Sequence, residues 1–181
     1  MPDDVRRYKR VIEQSRPEVV IETGTRWGGF ALMLRSWGVH VVTIDVDSSF
    51  SEEARSRGDA GISWLFGDST SGGVVNQAAE IARGKRTMVS LDSEHSAPHV
   101  AREISAYGPL VTPGCYLVVE DGVFDLMGEH GSIGGDRIPQ QGGPLRAIAS
   151  CLAGSPEWVR DTETEWLTPV THSPAGWWRR A

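Results

Sequence analysis

The sequence is poor in the features that would place it in several common classes. Cysteine occurs only twice, at Cys115 and Cys151. That is too few for a disulfide framework, so both are expected to be buried free thiols. No apolar run approaches the ~20 residues of a membrane-spanning helix. The opening MPDDVRRYKR is charged throughout and lacks the apolar centre of a secretory signal. The net charge is −6 and no basic stripe interrupts it, which argues against nucleic acid as the main partner. Repeats and low-complexity tracts are absent, and so is the dinucleotide fingerprint G-x-G-x-x-G. The expectation is then a cytoplasmic protein, its 181 residues read as one domain with room for a sizeable core.

What is present is a rhythm. Short β-branched runs at residues 18–21, 39–44, 62–66, 87–91 and 115–120 alternate with helical patterns at 30–37, 51–57, 74–82 and 97–107. A lead-in helix over residues 3–15 places Val5, Tyr8, Val11 and Ile12 at helical spacing. Alternation of this kind predicts βαβ units, and hence a mostly parallel sheet with helices on both faces. Residues 122–143 break the rhythm. They carry seven glycines and Pro139 directly after two acids, and a loop of this length in a compact domain is usually functional. A lid is expected there. Beyond it, a helix beginning at Pro144 precedes a tail that alternates loosely, as antiparallel closing strands would. Trp177 and Trp178 read as exposed and suggest an interface in a homo-oligomer.

Ligands in open α/β sheets bind at the carboxyl ends of the strands. The run TMVSLDSEH ends in Asp92, Ser93, Glu94 and His95, and the run CYLVVED ends in Glu120 and Asp121. Carboxylates from two neighbouring strand ends can form an oxygen-rich site for a hard divalent cation. Each acid taken singly more often caps a helix; three arriving together favour a site. His95 is placed to serve as a base there, with His99, one helical turn on, as its rival. After the first strand comes Glu22-Thr-Gly24-Thr25-Arg-Trp-Gly28-Gly29. Its glycines allow a tight turn and close approach of a ligand to the backbone. Asp45 closes the second strand, where a carboxylate can accept from ribose hydroxyls; Asp47 competes for that role. Asp68 and Ser69 close the third, where they can reach an adenine edge or cap the next helix.

The glycine loop, with an acid at its start, resembles motif I of the class I S-adenosylmethionine methyltransferases. The segments SLDSEHS (90–96), YGPLVTPG (107–114) and YLVVED (116–121), with GPLRAI (143–148) and GWWRR (176–180), resemble the cephalosporin hydroxylase-like family. That family has a Rossmann-like methyltransferase fold and includes the metal-dependent sugar O-methyltransferases of antibiotic pathways. The resemblance implies S-adenosylmethionine as donor and Mg²⁺ or another divalent cation. It implies Asp92, Glu120 and Asp121 as metal ligands and His95 as the base. It places Glu22, Gly24, Thr25, Gly28, Asp45, Asp68, Ser69 and Asp92 on the cofactor. The implied reaction methylates a hydroxyl of a sugar or other small natural-product scaffold, the acceptor being a glycosylated small molecule. Two alternatives remain. One is a non-catalytic methyltransferase-like or hydroxylase-associated accessory protein. The other is a nucleotide-dependent oxidoreductase, which the glycine spacing disfavours.

Overall fold

The computed structural model describes residues 2–127, 132–133, 136–137 and 142–181. In chain order, the helix α1 (Pro2–Ser15) leads into β1 (Val19–Thr23), α2 (Gly29–Ser36), β2 (His40–Asp45), α3 (Glu52–Ser56), β3 (Ile62–Phe66) and α4 (Gly72–Ala82). Then come β4 (Thr87–Leu91), α5 (Ala97–Tyr107), β5 (Tyr116–Val119), α6 (Val123–Met127), β6 (Ser132–Ile133) and β7 (Asp136–Arg137). The chain closes with α7 (Pro144–Cys151), β8 (Trp158–Arg160), α8 (Thr162–Glu165) and β9 (Trp177–Arg180).

Seven strands form one sheet in the order β3-β2-β1-β4-β5-β9-β8, and β6 pairs separately with β7. The five strands β1–β5 run parallel, as the alternation predicts. β9 and β8 close the sheet antiparallel. β1 and β4 are buried at every position, so both faces of the central sheet are covered, which is why these strands are unbroken apolar runs rather than alternating ones.

The topology fixes where a ligand can enter. From β1 the chain winds outward through β2 to β3, then returns to place β4 against the other edge of β1. The adjoining loops leave in opposite directions and open a crevice at the carboxyl ends of β1 and β4. The register keeps these ends level: Thr23 lies opposite Leu91, and Leu91 opposite Val119. The next backbone N–H groups extend the ladder, from Asp92 to the Thr23 carbonyl (3.0 Å) and from Glu120 to the Leu91 carbonyl (2.9 Å).

The tail departs from expectation in one respect. Trp177 and Trp178 are not exposed; they are 0% and 6% accessible. β9 is an inner strand between β5 and β8, so its opposed side chains both enter covered layers. The argument for a homo-oligomer from these residues therefore fails. Cys115 and Cys151 are both free, the first buried and the second half-buried. Among the described residues, no helix is long and apolar enough to cross a membrane.

Of the expected lid, the start forms α6, and Asp125 in that helix accepts from the N–H groups of Gly143 and Leu145, both at 2.7 Å. This ties the beginning of the segment to its end. Gly128, Gly131, Gly134, Gly135 and Pro139 lie outside the described residues.

Candidate active site

The crevice has two halves. The half above β1–β3 is built on the glycine loop. Gly24 (φ 86°), Arg26 (φ 46°) and Gly28 (φ 73°) are all left-handed. A Cβ on Gly24 would sit 1.8 Å from the Asp92 carbonyl oxygen, so glycine is required where the exit of β1 crosses that of β4. Asp45 fastens the loop: its Oδ2 accepts from the Arg26 N–H at 2.7 Å and its Oδ1 from the Asp47 N–H at 3.0 Å. Asp68 lies exposed at the end of β3, its Oδ1 accepting from the Thr70 N–H and hydroxyl, each at 2.8 Å. Those bonds hold its carboxyl below the usual range.

Three residues expected on the cofactor have buried side chains. Glu22 and Thr25 are 1% and 4% exposed. The Thr43 hydroxyl donates to Glu22 Oε2 and lies beside that of Thr25. Burial pushes the Glu22 carboxyl up to about 8, opposed by the Thr43 bond and assisted by the charges of Asp92 and Asp45. Ser69 is buried and donates to Glu103 Oε1 at 2.6 Å. These three side chains form an inner hydrogen-bonded layer beneath the crevice.

The half above β4 and β5 carries the acids. Asp92 follows β4, His95 lies three residues on, and Asp121 follows β5 after Glu120. One ligand atom each from Asp92, His95 and Asp121 lies within 4.8 Å of the others. His95 Nε2 is 3.4 Å from Asp92 Oδ1 and 3.4 Å from Asp121 Oδ2. Behind the imidazole stands Phe124, with ring centroids 5.4 Å apart. Asp121 is itself left-handed (φ 58°), a conformation aspartate tolerates better than most residues. Burial raises the Asp92 carboxyl, with His95 opposing. Burial and the Asp92 charge raise Asp121 to about 6. Glu120 rises for the same two causes in the same order.

Burial and mutual repulsion raise these carboxylates, with His95, His172 and Arg26 opposing. The two carboxylates offer oxygen ligands that suit a hard divalent cation, with the imidazole beside them. The converging set differs from the three carboxylates expected from the sequence. Glu120 stands beside it, its Oε1 accepting from Tyr8 Oη at 2.6 Å and from Ser90 Oγ at 2.9 Å.

His99, the rival base, belongs elsewhere. It is 8% exposed. Its Nε2 lies 3.2 Å from Ser69 Oγ and 3.1 Å from Ser93 Oγ. Its Nδ1 faces Glu94 Oε2 at 3.3 Å. Its bond with Glu103 raises its basicity, with burial opposing.

Tyr8, Ser90 and His172 were not found from sequence. His172 Nδ1 lies 3.8 Å from Asp121 Oδ1, and its backbone N–H donates to Asp4 Oδ2 at 3.1 Å. Helical spacing marked Tyr8 as a core residue, which it is, but gave no sign of a hydroxyl partner 112 positions away.

The family model for Rhamnosyl O-methyltransferase/CmcI matches residues 1–181. The rhamnosyl O-methyltransferase of Mycobacterium tuberculosis (strain ATCC 25618 / H37Rv) is 31% identical over 183 residues, covering 96% of this chain and 71% of the relative. Among solved structures, CmcI with Mg and SAM aligns at TM-score 0.64 and 17% identity, covering 100% of this chain and 72% of that one. MycE from the mycinamycin biosynthetic pathway, in complex with Mg, SAH and mycinamycin VI, aligns at TM-score 0.58 and 23% identity, covering 82% and 39%. At these identities the structural likeness speaks to the fold, a class I methyltransferase sheet.

Proposed function

The chain belongs to the Rhamnosyl O-methyltransferase/CmcI family, and from that premise we propose that it moves a methyl group from S-adenosylmethionine to a hydroxyl of a sugar or glycosylated natural product, with a divalent cation. The observation that carries this reading is the convergence of Asp92, His95 and Asp121 at the ends of β4 and β5, beside the glycine loop. Relatives named for rhamnosyl methylation and a neighbour in complex with mycinamycin VI support the acceptor class.

In this reading Asp92 and Asp121 hold the cation, and Glu120 adds its charge from alongside. A divalent cation there supplies Lewis-acid activation and orientation of the acceptor hydroxyl. His95 directs Nε2 between the two carboxylates, and this is the atom that takes the proton. Gly24, Gly28 and Asp45 shape the donor's side of the crevice. Much of the rate then comes from holding donor and acceptor in line. Phe124 backs His95 and keeps water from that side. Asp125 fastens α6 to the start of α7 beside this corner.

The test is incubation with S-adenosylmethionine and an alkyl α-rhamnoside, with Mg²⁺ or with EDTA, read by mass spectrometry. A methylated glycoside formed with Mg²⁺ and suppressed by EDTA is expected. Equal product under both conditions would remove the metal from the reaction. No product from any glycoside, despite bound S-adenosylmethionine, would remove the sugar.

A further inference from the structure

We propose that α1 is part of the metal centre, with the hydroxyls of Tyr8 and Ser90 acting together to position Glu120 beside Asp92. This rests on the metal-dependent reading above and adds residues to it.

Glu120 is anchored twice. Its backbone N–H is tied to Leu91 at the end of β4, and its side chain meets two hydroxyl donors on one oxygen. The Tyr8 and Ser90 oxygens are also 2.6 Å from each other, so the three groups form a closed triangle. The triangle is set by the sheet. Ser90 is two residues before Asp92 and pairs in register with Val118, itself two residues before Glu120. Alternation therefore puts Ser90, Asp92, Val118 and Glu120 on one face, and Tyr8 reaches that face from α1.

The tyrosine cannot swing away. It is 1% exposed, and its ring is held edge-on against Phe30 (4.7 Å between centroids) and Trp177 (5.0 Å). Both donors satisfy Oε1, and Oε2 has no hydrogen bond among the described residues. The carboxylate is thus oriented with one oxygen committed and one available. Groups that orient a metal site from behind typically change metal affinity about 10–100-fold when removed.

Neighbouring contacts show α1 bracing the other side of the same corner. Asp4 accepts from the His172 N–H and the Thr171 hydroxyl at 2.7 Å. Arg7, 0% exposed, donates to the carbonyls of Thr164, Glu165, Thr168 and Val170. This fastens the loop that ends at His172.

The experiment is Mn²⁺ titration of the full chain, followed by the electron paramagnetic resonance signal of free Mn²⁺. Wild type is compared with Tyr8→Phe, Ser90→Ala and Tyr116→Phe. Tyr116 is an equally buried tyrosine whose hydroxyl meets Asp161, away from this corner. Tyr8→Phe keeps the ring packing and removes one donor. It is expected to weaken Mn²⁺ binding about tenfold or more, with Ser90→Ala acting in the same direction and Tyr116→Phe leaving the affinity unchanged. If Tyr8→Phe fails to fold, Ser90→Ala reads the same oxygen. Wild-type affinity in a folded Tyr8→Phe or Ser90→Ala, alongside loss of binding in Asp92→Asn, overturns this inference alone. No Mn²⁺ binding by wild type overturns it together with the metal reading.

Discussion

His95 and His99 lie four residues apart, and both stand against carboxylates, yet their surroundings differ. His95 sits between two acids at 3.4 Å each, on the crevice side. His99 is enclosed by Ser69, Ser93, Glu94, Arg102 and Glu103, and is 8% exposed. The first arrangement gathers two like charges around one imidazole at the ends of β4 and β5. The second meets its imidazole from every side and ties the end of β3 to α5. A histidine beside an acid is therefore no guide to chemistry by itself. What separates the two is position: His95 stands between two acids at the strand ends, whereas His99 is buried against α5 and the end of β3.

That contrast can be broken at either cluster. The largest effect is expected at the acids beside His95. Asp92→Asn and Asp121→Asn remove charge with little change of shape, and a bound cation contributes several kcal/mol to the transition state. Turnover should fall roughly 10³-fold or more, measured as methyl transfer at saturating Mg²⁺, with S-adenosylhomocysteine affinity by calorimetry mostly retained. Wild-type turnover in both variants would erase the distinction between the clusters.

His95→Ala comes next, with kcat expected to fall about 10²-fold and part of the loss recovered as hydroxide rises at higher pH. A pH profile unchanged from wild type would assign the proton to another group.

Glu22 sharpens the picture from below the crevice. Its folded carboxyl titrates near 8, above its unfolded value, so the folded state holds a proton that the unfolded state has released. Stability should therefore fall as pH rises from about 4.5 to about 8 and level off above that. Glu22→Gln keeps an acceptor for Thr43 and removes the titration. In metal-free urea unfolding it should gain on the order of a few kcal/mol at pH 8 relative to wild type, and little at pH 4.5. Parallel stability curves for the two proteins would contradict this.

The smallest catalytic effect belongs to His99→Ala. It strips partners from Ser69 and Glu103 and should cost about 1–3 kcal/mol of stability, while kcat stays within about threefold. A kcat loss matching that of His95→Ala, in a folded protein, would make the two histidines equivalents after all.

Much of this organisation was legible in the sequence, for a local reason. The parallel strands announce themselves as β-branched runs, and an acid at the end of each run marks the rim of the sheet. Asp45, Asp68, Asp92 and Asp121 could be placed that way, because a strand end is set by a few adjacent residues. Side-chain direction beyond a strand end is not local. Glu22 and Ser69 belong to the same motifs, but they face partners on β2 and α5. Glu120 and Asp121 are neighbours in sequence, and the left-handed turn at Asp121 sends them to different company. Tyr8 meets Glu120 only because α1 lies on that face of the sheet. Trp177 and Trp178 were misread because adjacent strand residues point opposite ways, and only the position of β9 inside the sheet hides both.

The most direct test of the account is where a cation binds. A crystal of the full chain soaked with Mn²⁺ and S-adenosylhomocysteine would show the ion by anomalous scattering. The account predicts a peak at bonding distance, about 2.0–2.3 Å, from oxygens of both Asp92 and Asp121. A peak elsewhere, or His95 and the two acids in contact with no ion between them at saturating Mn²⁺, would contradict it.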